Sequence, residues 1–191
     1  QVPPAAALGE ARLLLAHDWL NQDGGAEVVL DQLWDLFPKA PVYTSLWDRR
    51  RLGRLAGRDI RPSWMDRLPG VHRHHQRYLP LYPLDWGSRR LPPADLLLSN
   101  KSGFCHGARA PGAVHVCYCL TPTRYVWEPE AYLEHEPVGA AARLALRLLL
   151  PALRRWDHRA AQGVDHFLAI SGLVQERIRR YYGRESRILY P

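Results

Sequence analysis

Lysine is almost missing from this chain: Lys39 and Lys101 are the only two among 191 residues. The excess of 26 basic over 19 acidic side chains, a net charge of +7, is therefore carried by arginine. A guanidinium matches phosphate and carboxylate as a planar fork, so a phosphorylated ligand, anionic lipid head groups and nucleic acid are the partners this balance admits, although an arginine-rich codon bias would give the same composition. Zinc-finger spacing, an RNA-recognition signature and a basic helix followed by heptads are all missing, which ranks nucleic acid last. Cysteine is scarce too. Cys105, Cys117 and Cys119 are odd in number and not spaced like a secreted scaffold, so reduced thiols and a cytoplasmic location are expected. No apolar run approaches the ~18 to 20 residues that cross a bilayer. Gln1 to Gly9 is rich in Pro and Ala but lacks the basic start and apolar centre of a secretory signal, so a soluble or peripheral protein is expected.

What is there is enough apolar residue, 47%, to fill one sizeable core. Residues 12–191 read as a single domain behind a flexible tail at 1–11. The most telling stretch runs from Arg12 to Pro38. Leu13 to Ala16 has the look of a parallel strand covered on both faces, broken by His17, Asp18 and Trp19 at its carboxyl end. Gly24 and Gly25 follow, a pair that lets the backbone take positive φ and bring its N–H groups close to a ligand. Behind them comes a helix with Leu30, Leu33, Trp34 and Phe37 on one face. Free N–H groups and the positive dipole end of that first turn suit a phosphate, with an ordinary surface turn as the alternative.

Further strands are expected at 41–47, 60–65, 95–99, 113–120, 164–170 and 187–190, with a short basic helix at 49–55. Residues 66–86 are expected to give a helix and then an irregular segment. There His72, His74 and His75 resemble metal ligands, but lack carboxylates in register and read better as a solvated basic face. His115, Cys117 and Cys119 alternate onto one strand face, yet one strand does not wrap an ion tetrahedrally, so buried inert cysteines are expected, and no metal. A long helix at 139–162, kinked near Pro151, sets Leu144, Leu148 and Leu149 beside Arg143, Arg147, Arg154, Arg155 and Arg159. It reads as a core helix with a solvated basic side, or as a surface that lies on an anionic membrane. Ser171 is placed to cap a helix from Gly172 to Tyr182, stopped by Gly183. Strands alternating with helices predict an α/β, Rossmann-like, doubly wound and mainly parallel sheet with helices on both faces. Ligands of such sheets sit beyond the strand carboxyl ends, here Asp18 to Gly25, Asn100 to Phe104, Leu120 to Trp127, and Ser171.

HDWLNQDGGAE at 17–27, LFPKAPVYTSLWD at 36–48, YLPLYPL at 78–84, CYCLTPTRYVWE at 117–128 and FLAISGLVQERIRRYYGRES at 167–186 together resemble the N-terminal domain of family 4 glycosyltransferases. The resemblance spans Arg12 to Pro191 and implies one half of a GT-B fold, the acceptor-binding half, facing a donor domain expected beyond Pro191. It implies that Gly24 and Gly25 lie at the diphosphate of a nucleotide-sugar donor, that Glu27 opens the helix behind them, and that no metal or other cofactor takes part. Asn100, Lys101, Ser102, Thr121, Thr123, Arg124, Tyr125, Trp127 and Ser171 would line the acceptor or cleft side, with Tyr125 and Trp127 read equally well as core aromatics. The resemblance departs at Leu120, which stands where many members carry a cleft histidine; leucine moves no proton. His17 and Asp18 are then the candidates for polar contacts in the cleft. The implied reaction is retaining transfer of a hexose to a glycan or lipid-linked acceptor at the cytoplasmic face of the cell membrane. The alternatives are a glycan- or phosphate-binding module without catalysis and a basic peripheral-membrane adaptor.

Overall fold

The apolar run at the start of β1, Leu13–His17, is buried at all five positions, and its alternation divides the core in two. Leu13 and Leu15 point to one face with Leu30 and Trp34. Leu14 and Ala16 point to the other with Tyr82 and Trp86. That period-two split is what a central strand covered on both sides requires. The structure, a computed structural model, describes residues 11–130 and 140–191. The expectations for the tail, for Gly139 and for the side chains of Arg143 and Leu144 lie outside the described residues.

Among the described residues seven strands form one sheet in the order β3-β2-β1-β4-β5-β6-β7, and every pairing is parallel. After β1 come β2 Val42–Thr44, β3 Ile60–Pro62, β4 Leu96–Lys101, β5 Val114–Cys119, β6 His166–Ala169 and β7 Ser186–Ile188. The helices are α1 Gly25–Leu36, α2 Val71–His74, α3 Tyr82–Ser88, α4 Arg124–Trp127, α5 Ala140–Gln162 and α6 Gly172–Tyr182. α1 covers the face of Leu15; α3 packs on the opposite face, and α6 covers Cys117 and Phe167. Doubly wound packing is thus present, and the sheet is wholly parallel rather than mainly so. None of the described helices is long and apolar enough to cross a membrane.

Several element boundaries differ from those the sequence predicts. β3 stops at Pro62 because Ser63 accepts from the Met65 N–H and starts a 3-10 turn at Trp64–Arg67. Residues 49–55 form only a short 3-10 turn at Gly53–Leu55, since Asp48 Oδ1 takes the Arg50 and Arg51 N–H groups. Residues 64–88 are short helical pieces throughout rather than a helix and an irregular segment. α5 continues through Pro151 to Gln162. α6 matches expectation closely: Ser171 Oγ accepts from the Val174 N–H, and Gly183 ends the helix at φ 63°.

Candidate functional site

The strand order reverses direction between β1 and β4, so the two carboxyl ends there, His17 and Lys101, flank the crevice where a doubly wound sheet takes its ligands. α1 starts at that edge. Gly24 is its N-cap at φ −133° and ψ −170°, and neither glycine of the pair takes the positive φ that such a pair allows. Extended backbone at position 24 does not itself demand glycine; space does. A Cβ on Gly24 would stand 3.2 Å from Glu27 Oε2, whereas one on Gly25 would meet nothing within 4 Å. The ground above Gly25 is open. Val28 makes the first intrahelical bond, to the Gly24 carbonyl, and the N–H groups of Gly25, Ala26 and Glu27 have no partner among the described residues.

Glu27 folds back to accept from the Gly24 N–H at 2.9 Å and lies 3.5 Å from His17 Nε2. His17 Nδ1 meets Asn100 Nδ2 at 3.2 Å, and the same amide donates to the Ala26 carbonyl at 2.8 Å. The first turn of α1 is therefore tied to the ends of β1 and β4 through three buried side chains. Asn100 Oδ1 and, four residues past β1, Asn21 Oδ1 are buried acceptors with no hydrogen-bond partner among the described residues. Unpaired buried acceptors are uncommon, and a ligand hydroxyl or water satisfies them at low cost.

Asp18 is differently employed. Its carboxylate accepts from the N–H groups of Ser102 (2.7 Å), Gly103 (2.5 Å) and Cys105 (2.7 Å) and from Ser102 Oγ (3.3 Å). It clamps the loop after β4 to the end of β1 and has its lone pairs occupied by protein. Gly103 is needed there for close approach, since a Cβ would come within 2.9 Å of both Asp18 Oδ1 and the Trp19 ring.

Lys101 and Thr123 do not line a cleft; both are fully buried. Lys101 Nζ donates to the Gly103 carbonyl (2.8 Å) and Thr123 Oγ1 (3.1 Å), and Thr123 Oγ1 donates in turn to Asp157 Oδ1 (2.8 Å). Asp157 Oδ2 takes Trp127 Nε1 (2.7 Å) and the Tyr182 hydroxyl (2.8 Å). Burial alone lowers the pKa of Lys101, but the carboxylates of Asp157 and Asp18 outweigh it and hold the ammonium above its ordinary value. Burial drives His106, 3.1 Å from the Asp157 carbonyl, well below the usual histidine range and keeps it neutral. A buried carboxylate thus joins β4, α4 and α6 to α5. Sequence reasoning missed Asp157, although it is the only acid in the basic run from 140 to 162.

The mouth is made by other groups. Arg124 is exposed, and Ser102, Thr121 and Ser171 are half-buried, the last of them at the end of β6, two strands from β4. Leu120 is half-buried against the α1 face of the core. Tyr125 packs edge-on to Phe104 and is a core aromatic, while Trp127 stacks on Tyr181 at 4.9 Å. Trp19 lies 5.1 Å from the His75 ring, whose Nδ1 meets Asn21 Nδ2 at 2.8 Å. Burial lowers His75 to about 4, so it is neutral near pH 7. Of the residues read as a metal alternative, His115 pairs with Ser99 Oγ at 2.9 Å and Cys117 and Cys119 are packed in the core. No three His, Cys, Asp or Glu side chains converge on a metal position among the described residues. No protein-family model, curated protein or solved structure matches this chain.

Proposed function

We propose that this chain is the acceptor-side domain of a retaining glycosyltransferase of the GT-B kind, which moves a hexose from a nucleotide diphosphate sugar to a glycan or lipid-linked acceptor. The reading places the enzyme at the cytoplasmic face of the cell membrane and requires a donor domain and no metal. One observation carries it. At the β1/β4 switch point, three N–H groups of α1 are unpartnered among the described residues, and the space over Gly25 is open. Such donors suit the charge that builds on a departing diphosphate, stabilising it without reorganisation. His17, Glu27 and Asn100 position that turn from beneath.

A second reading, a binding module without catalysis, is favoured by a different fact. His17 and Asp18 are both buried and engaged with protein groups, and Leu120 carries no proton, so none of these three is a free acid or base at the mouth. Both readings need anion binding at α1 and part at sugar transfer by the two-domain protein.

The test uses Gly25→Val. A Cβ there meets no atom within 4 Å, so the substitution is aimed at filling the open ground, with the melting temperature reporting on the fold. Calorimetric titration with uridine and guanosine diphosphates and their sugar conjugates is expected to lose at least about tenfold in affinity, roughly 1.4 kcal/mol. Unchanged affinity at unchanged melting temperature overturns the assignment of this turn.

A further inference from the structure

Asp23 stands two residues before Gly25, the first residue of α1. An aspartate so placed closes a local turn, its carboxylate accepting from the backbone N–H two residues on, and the positive end of the helix dipole adds to the attraction. Local chemistry alone would therefore cover the first turn of α1 with a carboxylate. The structure shows otherwise. Asp23 Oδ1 accepts from Arg54 Nη2 at 2.7 Å, and the Gly25 N–H has no partner among the described residues. Beneath the same turn Asn100 is 1% exposed, donates to the Ala26 carbonyl and has an Oδ1 that also lacks a partner among the described residues.

The core places Arg54. Leu52 and Leu55, on either side of it, are buried with Leu30 and Trp34 of α1, and Arg54 between them is exposed. Its other guanidinium nitrogen, Nη1, donates to Asp31 Oδ2 at 2.6 Å, in the second turn of α1. A planar fork can hold two carboxylates apart in this way. One arm is fixed on the helix, and the other draws Asp23 to the helix flank. Arg51 Nη1 donates to the Asn21 carbonyl at 3.3 Å, so the loop before α1 is braced from the same segment at a second point. The side chains of Arg54 and Asp23 are 40% and 59% exposed, and ion pairs that open to water contribute little to folding. What this pair changes is where the carboxylate sits.

From this we infer that Arg54 is a positioning residue of the anion site: by holding Asp23 on the flank of α1 it keeps that carboxylate off the first-turn N–H groups and leaves them free for the diphosphate. The inference rests on the reading of the α1 turn given above and names the residue that keeps the turn open.

The experiment is titration of the full chain with inorganic pyrophosphate, beside amide NMR of the ligand-free chain near neutral pH. A released Asp23 competes with the anion at the worth of one hydrogen bond, so Arg54→Gln is expected to weaken pyrophosphate binding about three- to tenfold. The Gly25 amide proton of the same variant should move downfield as it gains an acceptor. Adding Asp23→Ala should restore both readings to the parent's. Adding Asp31→Ala, which cancels the same charge about 9 Å further along the helix, should restore neither. Asp23→Ala alone should bind pyrophosphate no more weakly than the parent. A tie that merely braced the loop would instead lose affinity when cut from either end and gain nothing from cutting both. Unchanged affinity or an unmoved Gly25 amide in Arg54→Gln, or equal rescue by the two alanines, overturns this inference alone. A parent that does not bind pyrophosphate overturns the anion reading itself and the role of Arg54 with it. Melting temperatures of each variant separate loss of binding from loss of fold.

Discussion

Asp18 illustrates how a residue type visible in sequence can be placed correctly and employed otherwise. A carboxylate just past a buried strand suggests chemistry, but three loop N–H groups and a hydroxyl saturate it. Its partners lie 84 to 87 positions away, a separation that no local pattern encodes. We therefore expect Asp18→Ala to act on stability first: buried N–H groups left unpaired cost about 1–3 kcal/mol each, so a loss of roughly 3–5 kcal/mol is expected in urea denaturation. Stability within about 0.5 kcal/mol of the parent would instead free Asp18 for a ligand. Ser171 shows the opposite case. Its capping role needs only three residues of its own helix, and so it was legible from sequence. The Gly24-Gly25 pair was legible as a site and illegible as geometry, because room above a backbone depends on what the rest of the fold leaves empty.

Among the elements, α1 and α6 could be read because periodicity, cap and stop agree within each. The stretch from 64 to 88 could not. Its short turns are held by contacts such as Tyr78 hydroxyl to the Pro69 carbonyl, at 2.6 Å, rather than by a sustained apolar repeat. α5 was legible as a helix but not for its function, since the sequence displays its arginines and hides the one acid that orders its surroundings. Asp157→Ala would leave the Trp127 and Tyr182 donors unpaired in the core and remove the stronger of the two carboxylate influences on the Lys101 ammonium. Leaving buried donors unpaired costs about 1–3 kcal/mol each, and a loss of roughly 3–5 kcal/mol is expected by chemical denaturation. Combining it with Lys101→Met should cost less than the sum of the single changes by at least about 1 kcal/mol, because no charge is then left alone. Strict additivity would show that Asp157 serves only the hydroxyl and indole donors.

For the whole molecule, alternation of strand and helix announced a parallel sheet, but the order of its strands rests on crossovers that composition does not specify. Once that order is known, the switch point follows, and with it the histidines that the parallel core has sealed in. His115, on β5, is pushed by burial, and further by Arg109 and His106, to about 3; burial alone takes His75 to about 4. Both titrate near 6.5 once unfolded, so between those values the unfolded chain holds the extra protons. Stability is accordingly full above the ordinary histidine value and falls as pH drops below it, by about 1.4 kcal/mol per pH unit for each histidine. Asp85 opposes this near its own range: burial raises its carboxyl above the usual value, so the folded state takes up that proton more readily and the lower end of the acid limb is blunted. Thermal melts from above pH 6.5 down to about 4 should therefore descend steeply at first. His115→Gln, which keeps a partner for Ser99, should remove the slope of one proton, and a variant that melts in parallel with the parent would mean that water reaches this histidine in the folded chain.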